Sequence, residues 1–320
     1  MGQVVGKPSR ERRGRARRAI GLAGIAALTP LVLTGCSLED AFYFGWPRTK
    51  PTDQSEMMMD MWIGSTVAAL AVGVIVWALI FWCVVAYKKR GSNLPAQDRL
   101  DEEALPRQTK YNLPAELTFT GLPFILIGVL FYFTVVVQDE VTHMSETPNS
   151  CTQVTAFKWN WQFTYSEWDA AEAECVSLEG ADGEPVLETG DSDYIPIIVV
   201  PNEEDVRFVA NSEDVIHSFW VPDLLFKRDV IPGGEAQTTR FEVDFNTEGT
   251  FVGRCAELCG AYHAFMNFEM RVVSPDDYQT FIDARVDGAS TPEALEAIGQ
   301  DPFATTTDVY NTDPASGEAS

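Results

Sequence analysis

The chain has 320 residues, 46% of them hydrophobic, and a formal net charge of −24. The charge is uneven: residues 138–320 hold 8 Lys and Arg against 36 Asp and Glu, whereas residues 1–137 hold 15 against 11. An acidic back half argues against nucleic acid as a partner and suits a basic protein partner.

Six arginines crowd residues 10–18 (RERRGRARR), and an apolar run follows from Ala19 to Leu33-Thr34-Gly35-Cys36. A basic stretch, an apolar stretch and a small residue before a cut site are the parts of an export signal. The ending LTGC resembles a bacterial lipobox, which implies cleavage before Cys36 and a lipid on that residue. Residues 1–35 are therefore expected to form a signal peptide and 36–60 an exported segment.

Two membrane spans are expected, at 61–87 and 115–138. Trp62–Tyr87 and Leu117–Val137 carry no charged side chain, and about 20 apolar residues suffice for a helix to cross a bilayer core. A helix also satisfies its own backbone where water is absent. The loop between them, 88–114, holds Lys88, Lys89, Arg90, Arg99, Arg107 and Lys110. Basic loops stay in the cytoplasm, so both outer ends of the hairpin face outward. That agrees with the export signal and predicts a multi-pass protein of a bacterial plasma membrane, with everything after Gln138 in an oxidising compartment.

Residues 139–287 read as an exported β-domain. Phe157, Trp159, Trp161, Phe163 and Tyr165 alternate with polar residues, as in a half-buried strand. Ideal alternation puts Trp159 and Trp161 on one face, so a bend or bulge must intervene if their roles differ. Further strands are expected at 195–200, 206–210, 215–221, 238–245, 250–254 and 266–273, which suggests an antiparallel sandwich or barrel. Residues 166–193, acidic and glycine-bearing, read as a surface insertion. Cys151 and Cys175 both lie outside the membrane, so the compartment permits a disulfide, although no spacing dictates one. A helix is predicted over Pro275–Val286, with Ser274 as its N-cap and Asp276 and Asp277 at its positive end. Residues 288–320 read as a peripheral C-terminal tail.

The chemistry concentrates in CAELCGAYHAFM: Cys255, Glu257, Cys259, His263 and Met266, with His217 upstream on another predicted strand. Two thiols, two imidazoles and a thioether form a soft donor set, suited to copper or zinc. A structural zinc site would use two Cys and two His and leave Met266 idle. A mononuclear blue copper site needs one cysteine. A Cys255–Cys259 disulfide is the third alternative.

The motif, the upstream histidine and the hairpin resemble subunit II of haem-copper cytochrome c oxidases. The resemblance runs from the lipobox to about residue 286. It implies an all-β, cupredoxin-like Greek-key sandwich or barrel behind a two-helix transmembrane hairpin. It implies a dinuclear copper (CuA) centre, with Cys255 and Cys259 bridging both metals. His217 and Met266 would complete one copper, and His263 and the carbonyl of Glu257 the other. The Glu257 carboxylate would bind magnesium at the boundary with subunit I. By the same likeness, Trp159 is where electrons enter from a c-type cytochrome, and Glu116 stands at the cytoplasmic mouth of a proton path. Lys227, Arg228 and Asp229 would face subunit I and its haem, and Glu213 and Asp214 resemble acidic positions of a docking face.

Subunits I and III are the implied neighbours, with oxygen reduced in subunit I. The lipobox, the insertion and the segment ALEAIGQDPFATTT look actinobacterial, which implies a dihaem cytochrome of an attached bc complex as donor. A quinol oxidase subunit would lack the copper ligands. A nitrous oxide reductase needs a propeller domain that this chain has no room for. A copper carrier needs an exchangeable site.

Overall fold

The computed structural model describes residues 43, 46–47, 49–87 and 110–308. The signal peptide, Cys36 and most of the basic loop lie outside these residues.

Helix α1 (Asp53–Ala86) and helix α2 (Leu113–Thr142) are the two candidate spans. Each begins at a side-chain cap. Thr52 accepts from Ser55 N while the Ser55 hydroxyl takes the Thr52 N–H, and Asn112 accepts from Ala115 N. The membrane-length windows are almost wholly exposed, as helices meant for lipid would be. Helix α1 starts eight residues ahead of the expected span, and those extra residues, about two turns, are seated on the β-domain. Gln54 exchanges hydrogen bonds with Asp244, and Asn246 Nδ2 donates to Asp53 at 2.7 Å. The start of α1 and the end of α2 both meet the β-domain, so the outer ends of the hairpin share a side with it.

The domain packs two sheets face to face. One runs β3 (Glu174–Ser177), β2 (Asn160–Asp169), β1 (Ser150–Phe157), β6 (Asp205–Ser212), β9 (Thr239–Asp244), with β4 (Leu187–Thr189) also on β2. The other runs β5 (Ile197–Pro201), β11 (Asn267–Val273), β10 (Gly249–Cys255), β7 (His217–Val221), β8 (Phe226–Val230). Most pairs are antiparallel, but β1/β6 and β5/β11 are parallel, which corrects the purely antiparallel expectation. Crossovers between the sheets produce those pairs, and strand composition carries no mark of them. Trp161, Phe163, Phe208, Phe219, Phe241 and Phe268 fill the space between the sheets. A second apolar cluster lies beneath helices α3 (Pro275–Val286) and α4 (Thr291–Ala297). Strand β5 is buried on both faces, Ile198 and Val200 toward one cluster and Ile197 and Val199 toward the other. Hence its unbroken IIVV run.

Three further expectations are revised. FKWNWQFTY is not one strand: the chain turns at Lys158-Trp159, and Phe157 pairs with Asn160 across the hairpin. The turn shifts the phase, so Phe157 is only half-buried while Trp161, Phe163 and Tyr165 are wholly buried. The alternation hid it because aromatic residues occupy every second position on both sides. The insertion is not plain loop: it builds β3 and β4 at the sheet edge, where exposure removes the need for an apolar face. The C-terminal segment is structured as far as residue 308. Helix α4 buries Ala294 and Leu295, and beyond it the chain is strapped across β11. There the buried Glu269 carboxylate accepts from the amides of Thr305 and Thr306 at 2.6 and 2.7 Å, and Arg271 donates to the carbonyls of Asp301 and Phe303.

Candidate metal centre

Strand pairing gathers the donors. Cys255 ends β10, Asn267 opens β11, and the loop between them carries Cys259, His263 and Met266. Strand β7 lies beside β10, with Phe219 opposite Cys255, so His217 at the start of β7 reaches the same place. Backbone bonds close the loop: Cys255 N–H donates to Met266 O and Ala256 N–H to Ser218 O, both at 3.0 Å. His263–Phe265 forms a short 3-10 turn.

The two sulfurs of Cys255 and Cys259 stand 3.9 Å apart, both buried and unbonded. Around them, His217 Nδ1 lies 3.8 Å from Cys255 Sγ, and the Glu257 carbonyl 3.3 Å from it. His263 Nδ1 lies 3.6 Å and Met266 Sδ 3.9 Å from Cys259 Sγ. Bonds of about 2.3 Å to a metal at tetrahedral angles put neighbouring sulfur donors about 3.8 Å apart, so these spacings suit ions held between the side chains. A disulfide would need about 2.05 Å, which the geometry excludes. One zinc would leave the thioether and the carbonyl unused, whereas four further donors about two sulfurs match a pair of soft ions.

The electrostatics agree. Burial pushes the Cys255 thiol up, but hydrogen bonding led by His217 outweighs it and brings the group down to about 7. Burial, then the neighbouring Cys255 thiolate, pushes Cys259 up to about 12. Two adjacent thiolates thus call for positive charge between them, which metal ions supply. Burial works against the imidazolium of His217, yet its bonds to Cys255 and Asp214 raise its pKa. Burial opposes ionisation of Asp214, and the bond to His217 leads the effects that keep its pKa below the usual carboxylate range. A carboxylate only accepts, so Nε2 of His217 carries the proton toward Asp214 at 2.8 Å and Nδ1 is left to face the sulfurs.

Two indoles grip the loop from either side. Trp161, in the core, donates from Nε1 to Met266 O at 3.3 Å. Trp159, half-buried, donates to Cys259 O at 3.2 Å and stacks edge-on with Tyr262, centroids 4.9 Å apart. Gly260 makes the second contact feasible: its φ is +130°, and a Cβ there would stand 2.9 Å from Trp159 Nε1. Trp159, Tyr262 and Asp308 border a surface pocket of about 460 Å³.

The remaining candidates are more dispersed. The Glu257 side chain is half-buried beside the loop. Lys227 and Asp229 point to one side of β8, where Asp229 accepts from Lys227 and from Ser218. Arg228 points the other way, toward the end of α2. Glu116 accepts from Asn112 N at 3.1 Å and so helps to cap α2. Cys151 and Cys175 form a disulfide between β1 and β3, Cα atoms 5.9 Å apart. Sequence reasoning missed Asp214 as the partner of His217 and Trp161 as the brace of Met266. An acidic residue three positions before a ligand histidine was the available signal for the first.

A family model described as "Cytochrome C oxidase subunit II, periplasmic domain" matches residues 151–273. A probable cytochrome c oxidase subunit 2 of Nocardia farcinica is 40% identical, over 97% of this chain and 92% of that protein. The chain belongs to the cytochrome c oxidase subunit 2 family. The cytochrome c oxidase subunit 2 of Mycobacterium tuberculosis is also 40% identical, over 96% of this chain and 93% of its own length. That of Corynebacterium glutamicum is 37% identical over 94% and 95%. Among solved structures, the periplasmic domain of subunit II from Bradyrhizobium japonicum is 27% identical, covering 44% of this chain and 96% of that one, with a TM-score of 0.33. As a member of this family the chain is a subunit of a membrane-bound respiratory oxidoreductase of the haem-copper type. Its β-sandwich is the periplasmic domain, and its His217, Cys255, Cys259 and Met266 cluster is consistent with CuA.

Proposed function

We propose that this chain takes electrons from a c-type cytochrome at a dinuclear copper centre and passes them to the haem of subunit I. The supporting observation is the set of four further donors disposed about the Cys255 and Cys259 sulfurs. The Cys255 and Cys259 thiolates, the His217 and His263 imidazoles, the Met266 thioether and the Glu257 carbonyl would hold the copper pair. When bound, the copper pair supplies a one-electron couple.

The protein residues fix the surroundings of that couple. Met266 and His217 are wholly buried, so water is kept from their side. Asp214 holds the imidazole of His217 in one tautomer. Trp159 links the surface to the Cys259 carbonyl through one hydrogen bond and is the proposed point of electron uptake.

The reading extends to several positions by family likeness. Glu257 would hold magnesium at the boundary with subunit I, and Lys227 and Asp229, which share one side of β8, would lie toward its haem. Glu116 would admit protons. Subunits I and III would be neighbours, and the donor would be the dihaem cytochrome of an attached bc complex. The chain would follow the order signal peptide, lipidated Cys36, hairpin, periplasmic domain and tail.

Metal analysis and electron spin resonance of the purified full-length chain test the central claim. Two coppers per chain and a seven-line hyperfine pattern are expected, because one unpaired electron is shared by two equivalent nuclei. One copper with four lines, or zinc in its place, would overturn the assignment.

A further inference from the structure

Beside the last turn of α2 is a second pocket, of about 210 Å³, bordered by Val141, His143, Met144, Arg228, Arg240 and Phe241. We infer that it binds the anionic headgroup of a phospholipid in the outer leaflet. This goes beyond the electron-transfer reading and does not depend on which metal the chain holds.

Depth is the first argument. The uncharged stretch Leu117–Val137 rises by about 31 Å as a helix, enough to match a hydrocarbon core of about 30 Å. Val141 lies four residues further on, about 6 Å beyond the apolar boundary, and the headgroup layer is about 5–8 Å thick on each side. The pocket therefore opens at headgroup level. Exposed Met144 provides an apolar rim where a glycerol backbone and acyl chains would leave it.

Charge is the second. Residues 138–320 contain only 8 basic residues, and several are already engaged. Arg207 and Arg271 are in buried ion pairs, Arg285 donates to two carbonyls, and Lys227 pairs with Asp229. Arg228 and Arg240 instead share this pocket, in a domain whose excess of carboxylates would otherwise be repelled by anionic lipid. Arg228 is fixed in place: it lies over the Phe226 ring at 4.7 Å and donates to Val141 O at 3.4 Å. Arg240 is exposed and has no ionic or hydrogen-bonded partner among the described residues. The one carboxylate at the pocket, Glu242, is neutralised by Arg207 at 2.7 Å and accepts from Ser145 N at 2.8 Å. Asp139 and Glu140, on the same turn of α2, do not line it.

The test uses the assembled oxidase in nanodiscs of equal phosphatidylglycerol and phosphatidylcholine, with retained lipid counted by native mass spectrometry. Wild type should retain phosphatidylglycerol in preference. Arg240→Gln and Arg228→Gln should each weaken that retention about fivefold, the factor for one basic residue at a membrane surface. Arg254→Gln, a lost exposed cation on β10 that does not border the pocket, should leave it unchanged. Equal retention of the two lipids by wild type would overturn the proposal, as would an equal loss in Arg254→Gln. Two other results would also overturn it. Displacement by millimolar inorganic phosphate would make this a free-anion site. Loss of a neighbouring subunit from Arg240→Gln, with no lipid retained by wild type, would make it a protein contact.

Discussion

The Asp214 carboxylate and the His217 imidazole are joined at 2.8 Å, and the same carboxylate accepts from the Lys158 amide at 2.7 Å. One side chain therefore orients a metal ligand and anchors the hairpin turn that carries Trp159. Asp214→Ala should release both. Loss of such an outer partner typically lowers metal affinity by about 10- to 100-fold. Competition with a copper chelator measures the change; an unaltered affinity would remove Asp214 from any ligand-orienting role.

Trp159→Phe keeps an aromatic ring but deletes the N–H that reaches Cys259 O. Copper content should remain at the wild-type level. Reduction by a ferrous c-type cytochrome should slow, because the hydrogen-bonded link from the half-buried ring to the Cys259 carbonyl is gone. Stopped-flow spectroscopy separates the two quantities. A variant reduced at the normal rate would make Trp159 a packing residue only.

Arg271 is buried and pairs with buried Glu269 at 2.7 Å. Arg271→Met strands the carboxylate, and breaking a buried pair in this way costs about 3–5 kcal/mol. A lower melting temperature is expected, together with faster hydrogen exchange at the Thr305 and Thr306 amides, which Glu269 holds. Exchange confined to helix α3 would contradict the strap.

Asp244 sits where α1 meets the domain, bonded to Gln54. Burial, and then the neighbouring Asp205 carboxylate, raises its pKa from 3.8 to about 7. Between those values the folded chain keeps a proton that the unfolded chain has released. Stability from this source therefore falls as pH rises from about 4 to about 7, and the loss is complete above that. Asp244→Asn, which mimics the protonated acid, should raise the melting temperature at pH 8 and leave it little changed at pH 4. Melting curves at the two pH values decide the sign.

The ligands were legible because five of them fall within one short loop and their chemistry is carried by residue type alone. Helix α3 was equally plain, since Ser274, Pro275 and the two aspartates announce its start locally, and Ser274 Oγ does accept from Asp277 N at 3.2 Å. What failed to register depended on partners distant in sequence. Asp214 looks like any surface acid until β7 and the Lys158 turn are both placed. The turn itself is masked by aromatic residues at alternate positions on either side. Strands β3 and β4 are short, acidic and at an edge, so their pairing with β2 leaves no apolar period. The parallel pairs follow from crossovers, which no local pattern encodes.

The chain emerges from its strap at Asp308, on the rim of the pocket that Trp159 also borders. A reporter inserted directly at Asp308 would stand beside the face proposed for electron uptake. Such additions would crowd an incoming cytochrome without touching a metal ligand, and apparent slowness in a tagged enzyme would then reflect its engineering. Helix α1 instead opens beside Asp244, away from the residues that border that pocket, so the two positions are unequal sites for modification.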